Sequence, residues 1–112
     1  MTKRKIESIA ESLDWSVNWG IDGDCKYVEF SKYSPYGQDF FFEVWYDTLN
    51  EIVEKIFEYY QNYDPSEEAS YWLDESGHGK NGAPYEMGDV YKDMKDCEEM
   101  VFELYQKLLN GK

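Results

Sequence analysis

The sequence predicts a single α+β domain in which a three-stranded antiparallel meander packs against helices, in the order αβββααα. Three observations lead to this prediction. The chain has 112 residues, the usual length of one domain. Apolar residues alternate with period two within about residues 15–46 and follow a period of 3.6 in residues 47–110. The connections are short, and neither a repeat nor a linker interrupts residues 1–112.

The first half of the chain changes from one helix to three strands. Apolar residues at helical spacing in residues 6–13 predict an opening helix. Alternation in residues 15–19 predicts the first strand, and Asp22-Gly23 supplies the hairpin turn. The second strand spans about residues 26–31. After a Pro/Gly turn, residues 39–46 form the third strand.

The third strand carries aromatic residues on both of its faces. Phe40 and Phe42 share one face, and Phe41 and Trp45 share the other. This pattern predicts a central strand or one that is covered on both sides. Exposed aromatics on a sheet can also stack nucleic-acid bases, but readers of that kind surround the rings with basic residues. Only two lysines lie nearby, so the sequence favours core packing.

The second half of the chain is predicted to be helical. An apolar stripe in residues 49–60 predicts one helix. Asp64-Pro65 begins a short helix, with Glu67 completing a capping box. Residues 76–83 are predicted to be a flexible glycine-rich loop. The last helix runs from after Pro84 to about residue 109, with these residues facing inward: Met87, Val90, Tyr91, Met94, Cys97, Val101, Leu104, Tyr105 and Leu108.

The net charge of −13 arises from 24 acids and 11 bases. Residues 1–46 carry eight acids and five bases, whereas residues 47–112 carry 16 acids and six bases. A field of this sign disfavours direct binding to nucleic acid and to anionic membranes. We see no signal peptide and no membrane-spanning run, so a soluble, cytoplasmic protein is expected.

The acids of the helical half are spaced by three or four residues, which places successive carboxylates about 5–6 Å apart on a helix. This spacing is comparable to the phosphate repeat of a nucleic-acid strand. One interpretation is a solvated face that provides only solubility; the other is an interaction surface that meets a basic groove. The predicted interaction surface consists of Glu51, Glu54, Glu58, Glu67, Glu68, Glu86, Asp89, Asp93, Asp96, Glu99 and Glu103.

The segment Gly77–Gly82 matches the pattern Gly-x-Gly-x-x-Gly. Dinucleotide binding requires that turn to follow a strand and to open a helix within a βαβ unit. Here the turn follows a predicted helix, so the sequence favours a plain loop. His78 is the single histidine and the one candidate for a general base, but no activated nucleophile accompanies it. We therefore predict no catalytic residues and no enzyme.

The sequence offers few residues that could form a disulfide or bind a metal ion. Cys25 and Cys97 are too isolated to form a disulfide framework and are predicted to be buried thiols. With one histidine and two distant cysteines, zinc has no ligand set. Asp22 and Asp24 are the best calcium candidates, but they lack the other oxygen ligands of a calcium loop and more simply shape the hairpin. No metal and no cofactor are expected.

Three segments together resemble a known family. Residues 33–40 resemble a Tyr-Ser-Pro-x-Gly-x-Asp-Phe motif, residues 63–69 with Trp72 resemble its downstream helix start, and residues 82–84 carry Gly-x-Pro. The combination is similar to short, acidic, mostly uncharacterised proteins of phages and conjugative elements of Gram-positive bacteria. The resemblance covers the chain from about residue 15 onward and brings no catalytic residues.

The resemblance implies a role on mobile elements, where small acidic proteins often inhibit host defence nucleases. Together with the charge, it favours a non-enzymatic interaction module, a nucleic-acid mimic that inhibits a DNA-binding or defence protein. The partner is then a protein with a basic surface. The alternative is a small accessory or structural protein whose acidity only provides solubility.

Overall fold

The α+β architecture and the order αβββααα are confirmed in the computed structural model, which describes residues 1–112. The three strands form one antiparallel sheet in the order β1-β2-β3. None of the helices is both long and apolar enough to cross a membrane. The elements are α1 (Lys3–Glu11), β1 (Ser16–Asp22), β2 (Cys25–Tyr33), β3 (Asp39–Tyr46), a 3-10 turn (Leu49–Glu51), α2 (Ile52–Asn62), α3 (Pro65–Ser70) and α4 (Met87–Asn110).

The turn between β1 and β2 is a two-residue hairpin. Asp22 pairs with Cys25, so Gly23 and Asp24 form the loop. Gly23 has a φ of 62°, whereas Asp24 does not have a positive φ. This is the pattern of a type II′ turn, in which glycine takes the first central position at no steric cost. The predicted hairpin is therefore confirmed, with Asp22 at the end of the strand.

Trp15 stands at the centre of the core, just before β1, and is 1% exposed. Its ring makes edge-to-face contacts with Phe30, Phe40 and Phe42, at centroid distances of 6.5, 6.2 and 5.6 Å. Aromatic rings prefer this geometry because the positive edge of one ring meets the negative face of the other. The Trp15 indole therefore packs against the core-side residues of both β2 and β3.

The prediction that β3 is central or covered on both sides is wrong. β3 is an edge strand, and its burial alternates strictly along Asp39–Tyr46. Phe40 and Phe42 are buried, whereas Phe41 is 60% and Trp45 43% exposed. Successive side chains of a strand point to opposite faces. Since only one face of this sheet is covered by helices, the second set of aromatics is left in solvent.

Gly20 of β1 lies directly opposite Tyr27 of β2. The Tyr27 ring occupies the space in which a side chain at position 20 would begin, because a Cβ there would lie 2.2 Å from Tyr27 Cζ. On its other side the ring contacts Trp45, with a centroid distance of 4.9 Å. The two rings thus extend across all three strands on the face that no helix covers.

The caps of α3 are partly as predicted. Asp64 Oδ1 accepts hydrogen bonds from the backbone N–H groups of Ser66 at 2.9 Å and Glu67 at 3.4 Å, and Pro65 takes the first helical position. The reciprocal half of the capping box is not formed. Glu67 instead accepts a hydrogen bond from the Tyr71 hydroxyl. Asp64 therefore caps this helix alone.

Two residues predicted to face inward from α4 are exposed. Met87 is 53% and Tyr91 39% exposed, whereas Val90, Met94 and Cys97 are buried as expected. A Cβ added to Gly77 would lie 3.0 Å from Met87 Cε, so Met87 lies over the loop that precedes the helix. The start of α4 thus contributes Val90 to the core but leaves Met87 and Tyr91 outside it.

The glycine-rich segment is more ordered than the predicted flexible loop. Its backbone N–H groups are engaged: Gly79 donates to Tyr85 O at 3.0 Å and Lys80 to Trp72 O at 2.9 Å. Gly79 also forms an isolated antiparallel bridge with Leu73. A Cβ at Gly79 would collide with the Pro84 carbonyl oxygen. Glycine is therefore needed here for close approach of two backbone segments.

Both cysteines are free thiols, but only Cys97 is buried. The prediction of a buried thiol is therefore wrong for Cys25, which is exposed at the start of β2. Burial raises the pKa of the Cys97 thiol, because the thiolate would lose its hydration.

We expect a thiol reagent to modify one cysteine of the native protein rapidly and both in denaturant. Absorbance of the released chromophore measures the count. The variant Cys25→Ser is expected to show no rapid reaction. Two rapidly reacting thiols in the native protein would contradict the burial of Cys97.

Candidate interaction surface

The structure places most of the predicted interaction carboxylates in solvent. Asp93 is buried, and Glu51, Glu68 and Asp96 are partly buried. The others are exposed: Glu54, Glu58, Glu67, Glu86, Asp89, Glu99 and Glu103.

Asp93 does not belong to the exposed acids, contrary to the prediction. It is 1% exposed and accepts two hydrogen bonds, from Ser34 Oγ at 2.6 Å and from the Tyr36 backbone N–H at 3.1 Å. Ser34 Oγ in turn accepts from the Gln38 backbone N–H at 3.0 Å. A buried carboxylate needs such partners, because the desolvation of its charge is otherwise unfavourable. Asp93 therefore links α4 to the turn between β2 and β3.

The inward position of Asp93 interrupts the acidic row of α4. Asp89 and Asp96 are seven residues apart, about 10 Å at 1.5 Å per residue. Lys92 lies between them, and its Nζ contacts Asp96 Oδ2 at 3.0 Å. Beyond this gap, Asp96, Glu99 and Glu103 keep the predicted spacing of three and four residues. The longest unbroken part of the row thus begins at Asp96 and ends at Glu103.

The carboxylates of α2 differ in their availability. Glu51 accepts a hydrogen bond from the Asp47 backbone N–H at 3.0 Å, and this bond lowers the pKa of Glu51. Glu58 lies 3.7 Å from Lys55 Nζ. Glu54 is exposed and has no such partner. Glu54 and Glu58 are therefore the acids that α2 presents to solvent.

Aromatic contacts fill the seam between α2 and α4. Phe57 meets Tyr105 at a centroid distance of 4.7 Å, and Tyr60 meets Phe102 at 4.9 Å. These contacts between the two helices are therefore made by aromatic rings.

On α3, the carboxylate of Glu68 is less available than that of Glu67. Burial, with a smaller contribution from neighbouring Glu67, raises the pKa of Glu68. Glu67 remains exposed. The α3 contribution to an acidic surface therefore rests mainly on Glu67.

Only two ion pairs form in the whole molecule, Lys55–Glu58 and Lys92–Asp96. Both are exposed, and exposed pairs stabilise a protein by less than about 1 kcal/mol. The other 22 of the 24 acids have no cationic partner within 4.0 Å. The negative charge is thus largely uncompensated inside the fold.

His78 and the Gly77–Gly82 segment, which resemble chemical motifs in the sequence, make structural contacts in the fold. The His78 ring stacks on Tyr85, with centroids 4.0 Å apart and planes at 10°. Gly77–Gly82 lies between α3 and α4, and the sheet is antiparallel, so the βαβ context of a dinucleotide site is missing. No group of three or more His, Cys, Asp or Glu residues is arranged to hold a metal ion.

Comparisons with protein-family models, with curated proteins and with solved structures found no match. The resemblance to acidic proteins of phages and conjugative elements therefore stays a prediction.

Proposed function

We propose that the protein is a non-enzymatic interaction module that binds a basic surface of a partner protein through the exposed carboxylates of its helices. The observation that supports this proposal is the near absence of compensation: 24 acids form two ion pairs. Unpaired charge of one sign steers an oppositely charged partner toward the surface and repels nucleic acid.

The specific form of the proposal is nucleic-acid mimicry. Asp96, Glu99 and Glu103 on α4, and Glu54 and Glu58 on α2, are carboxylates at spacings of three or four residues. Neighbours at these spacings are about 5–6 Å apart, within a factor of two of the phosphate repeat. A groove that normally binds DNA would present its lysines and arginines to them. The partner is accordingly a nucleic-acid-binding protein, such as one that acts in host defence.

One observation favours the alternative, in which the acidity provides only solubility. The acidic row of α4 is interrupted at Asp93, and the adjacent Asp96 is paired with Lys92. A surface without a partner has no need for continuous spacing. This alternative predicts that no protein is retained by the acidic helices.

We expect the immobilised protein to retain basic nucleic-acid-binding proteins from a host lysate and to release them at high salt. At about 1 M salt the screening length falls to about 3 Å, so contacts between exposed charges weaken. Double-stranded DNA added at low salt should displace the same proteins, and mass spectrometry identifies them.

A matched pair of variants tests which carboxylates act. The test variant neutralises four helical acids: Glu54→Gln, Glu58→Gln, Glu99→Gln and Glu103→Gln. The control neutralises four exposed acids outside α2, α3 and α4: Glu11→Gln, Asp14→Asn, Asp24→Asn and Glu75→Gln. We expect only the test variant to lose the retained proteins. If both variants lost the retained proteins equally, net charge alone would explain the binding. If DNA did not displace the retained proteins, the proposal of nucleic-acid mimicry would be wrong.

A further inference from the structure

One face of the sheet is covered by no helix, and we call it the open sheet face. Residues of β1, β2 and β3 that alternate with the buried ones lie on it. Its aromatic members include Tyr33, Phe41 and Trp45, which are 69%, 60% and 43% exposed. Large rings left in solvent at neighbouring strand positions indicate a surface that binds something.

The open sheet face carries four acids and no base. From the strand register, Asp22, Glu29, Asp39 and Glu43 share this face. The two lysines of the sheet lie on the opposite one. Lys26 Nζ donates to Asp47 O at 2.6 Å, and Lys32 Nζ lies 5.7 Å from the centroid of the Trp15 ring. The small net charge of residues 1–46 therefore conceals a face of a single sign.

Glu29 and Glu43 form the centre of this face. They are directly opposite each other on β2 and β3, where Cβ atoms lie about 4.5–5.5 Å apart and like charges are destabilising. Neither glutamate has an ion-pair partner. The sheet thus holds two carboxylates together without a cation of its own.

Aromatic rings flank the glutamate pair along the strands. Tyr27 and Trp45 form the adjacent cross-strand pair on one side, and Phe41 lies one step away on the other. Two residues along a strand span about 7 Å. A cation on the carboxylates would therefore lie within reach of ring faces on both sides, and such contacts are strongest for arginine.

We propose that the open sheet face binds an extended, arginine-rich segment of a partner protein. Guanidinium groups pair with Glu29 and Glu43 while neighbouring side chains stack on Trp45 and Phe41. The eight residues of β3 extend about 27 Å, which matches a segment of roughly eight residues. This goes beyond the helical surface proposed above and shares with it only the basic character of the partner.

Charge complementarity selects this occupant over the other candidates. A second copy of the chain, docked face to face, would bring the Glu29 and Glu43 pairs together with no base between them. Single-stranded nucleic acid could stack on the rings, but its phosphates would meet four acids. An arginine-rich segment supplies the missing charge and a planar group that stacks on aromatic rings.

The test uses an N-acetylated deca-arginine peptide as the probe, titrated calorimetrically into the full chain at about 0.15 M salt. A matched pair removes two charges from either surface: Glu29→Gln/Glu43→Gln on the sheet and Glu99→Gln/Glu103→Gln on α4. We expect the sheet pair to raise Kd about tenfold or more, because the bound peptide covers these central charge contacts, and the α4 pair to raise it less than about threefold. Circular dichroism confirms folding; removing the like-charge contact should not impair it.

A second probe separates ring stacking from charge alone. Deca-lysine should bind the native protein more weakly than deca-arginine, and Phe41→Ser/Trp45→Ser should abolish this preference. A fluorophore on the exposed Cys25, which lies on the same face, should respond to the peptide.

The outcomes distinguish the two proposals. Equal losses from the two glutamate pairs, or no preference for arginine, would overturn the open sheet face as a site and leave the helical proposal standing. The opposite result is weaker peptide binding by Glu29→Gln/Glu43→Gln together with full retention of lysate proteins by the helical variant. It would overturn the helical proposal and leave the open sheet face standing.

Discussion

Replacement of Trp15 by alanine is expected to lower the free energy of unfolding by about 4 kcal/mol. Its indole is 1% exposed and contacts three phenylalanine rings of the sheet, so the substitution leaves a large cavity. Because small domains are stable by only about 5–15 kcal/mol, part of the variant is expected to be unfolded at 37 °C. Urea denaturation followed by circular dichroism measures the loss.

Trp45 provides the matched control, since it is the same residue type on the other face of the sheet and is 43% exposed. Trp45→Ala is expected to cost about 1 kcal/mol, mainly from the lost contact with Tyr27. Trp15→Phe should cost less than Trp15→Ala, because Trp15 Nε1 is buried without an acceptor. Similar losses for Trp15→Ala and Trp45→Ala would contradict the one-sided sheet.

Replacement of Asp93 by alanine is expected to destabilise the fold by about 3 kcal/mol, as hydrogen bonds to a charged group are worth about 1.5–3 kcal/mol. The change removes the acceptor of the buried Ser34 hydroxyl and of the partly buried Tyr36 N–H. Thermal unfolding and urea denaturation measure the effect.

Asp96 is the control for Asp93, because it lies on the same helix and belongs to an exposed ion pair. Asp96→Ala is expected to change stability by less than about 1 kcal/mol. Asp93→Asn should fall between the two, since its amide retains one acceptor oxygen. If Asp93→Ala were no more damaging than Asp96→Ala, Asp93 would be an exposed acid, as the sequence pattern predicts.

Local physics accounts for what the sequence predicts well. The bounds of β3, Asp39–Tyr46, follow from a run rich in aromatic residues that begins after the Pro/Gly turn and ends where helical spacing starts. The hairpin follows from the conformational freedom of Gly23, and the start of α3 from the ability of Asp64 to accept from the next backbone N–H groups. Each of these features depends on residues within a few positions of each other.

What the sequence does not predict depends on distant neighbours. Asp93 lies at a spacing that suits the acidic row, and its true partner, Ser34, is 59 residues away. Likewise, aromatics on both faces of β3 are compatible with one covered face or two, and only the placement of the helices decides. The signal that could have identified Asp93 is a turn with several hydrogen-bond donors that lack local acceptors, such as the Ser34 hydroxyl and the Tyr36 N–H.

Summed charge conceals a second feature of the candidate site. Residues 1–46 are only mildly acidic in total, because the bases of α1 and of the covered sheet face offset the acids of the open sheet face. The strand register is needed to separate the two faces. The sequence therefore identifies the acidic helices as a surface but not the sheet.

The contact between Gly20 and Tyr27 has a consequence for how this sequence can vary. The ring takes the place of a side chain at position 20, so the two residues together fill one volume, as an aromatic residue can do beside a glycine in a neighbouring strand. A mutation that adds a methyl group at position 20 requires the Tyr27 ring to move aside or position 27 to become smaller. Among descendants of this chain, loss of Gly20 is therefore expected to displace the Tyr27 ring from its contact with Trp45 or to be accompanied by a smaller residue at position 27.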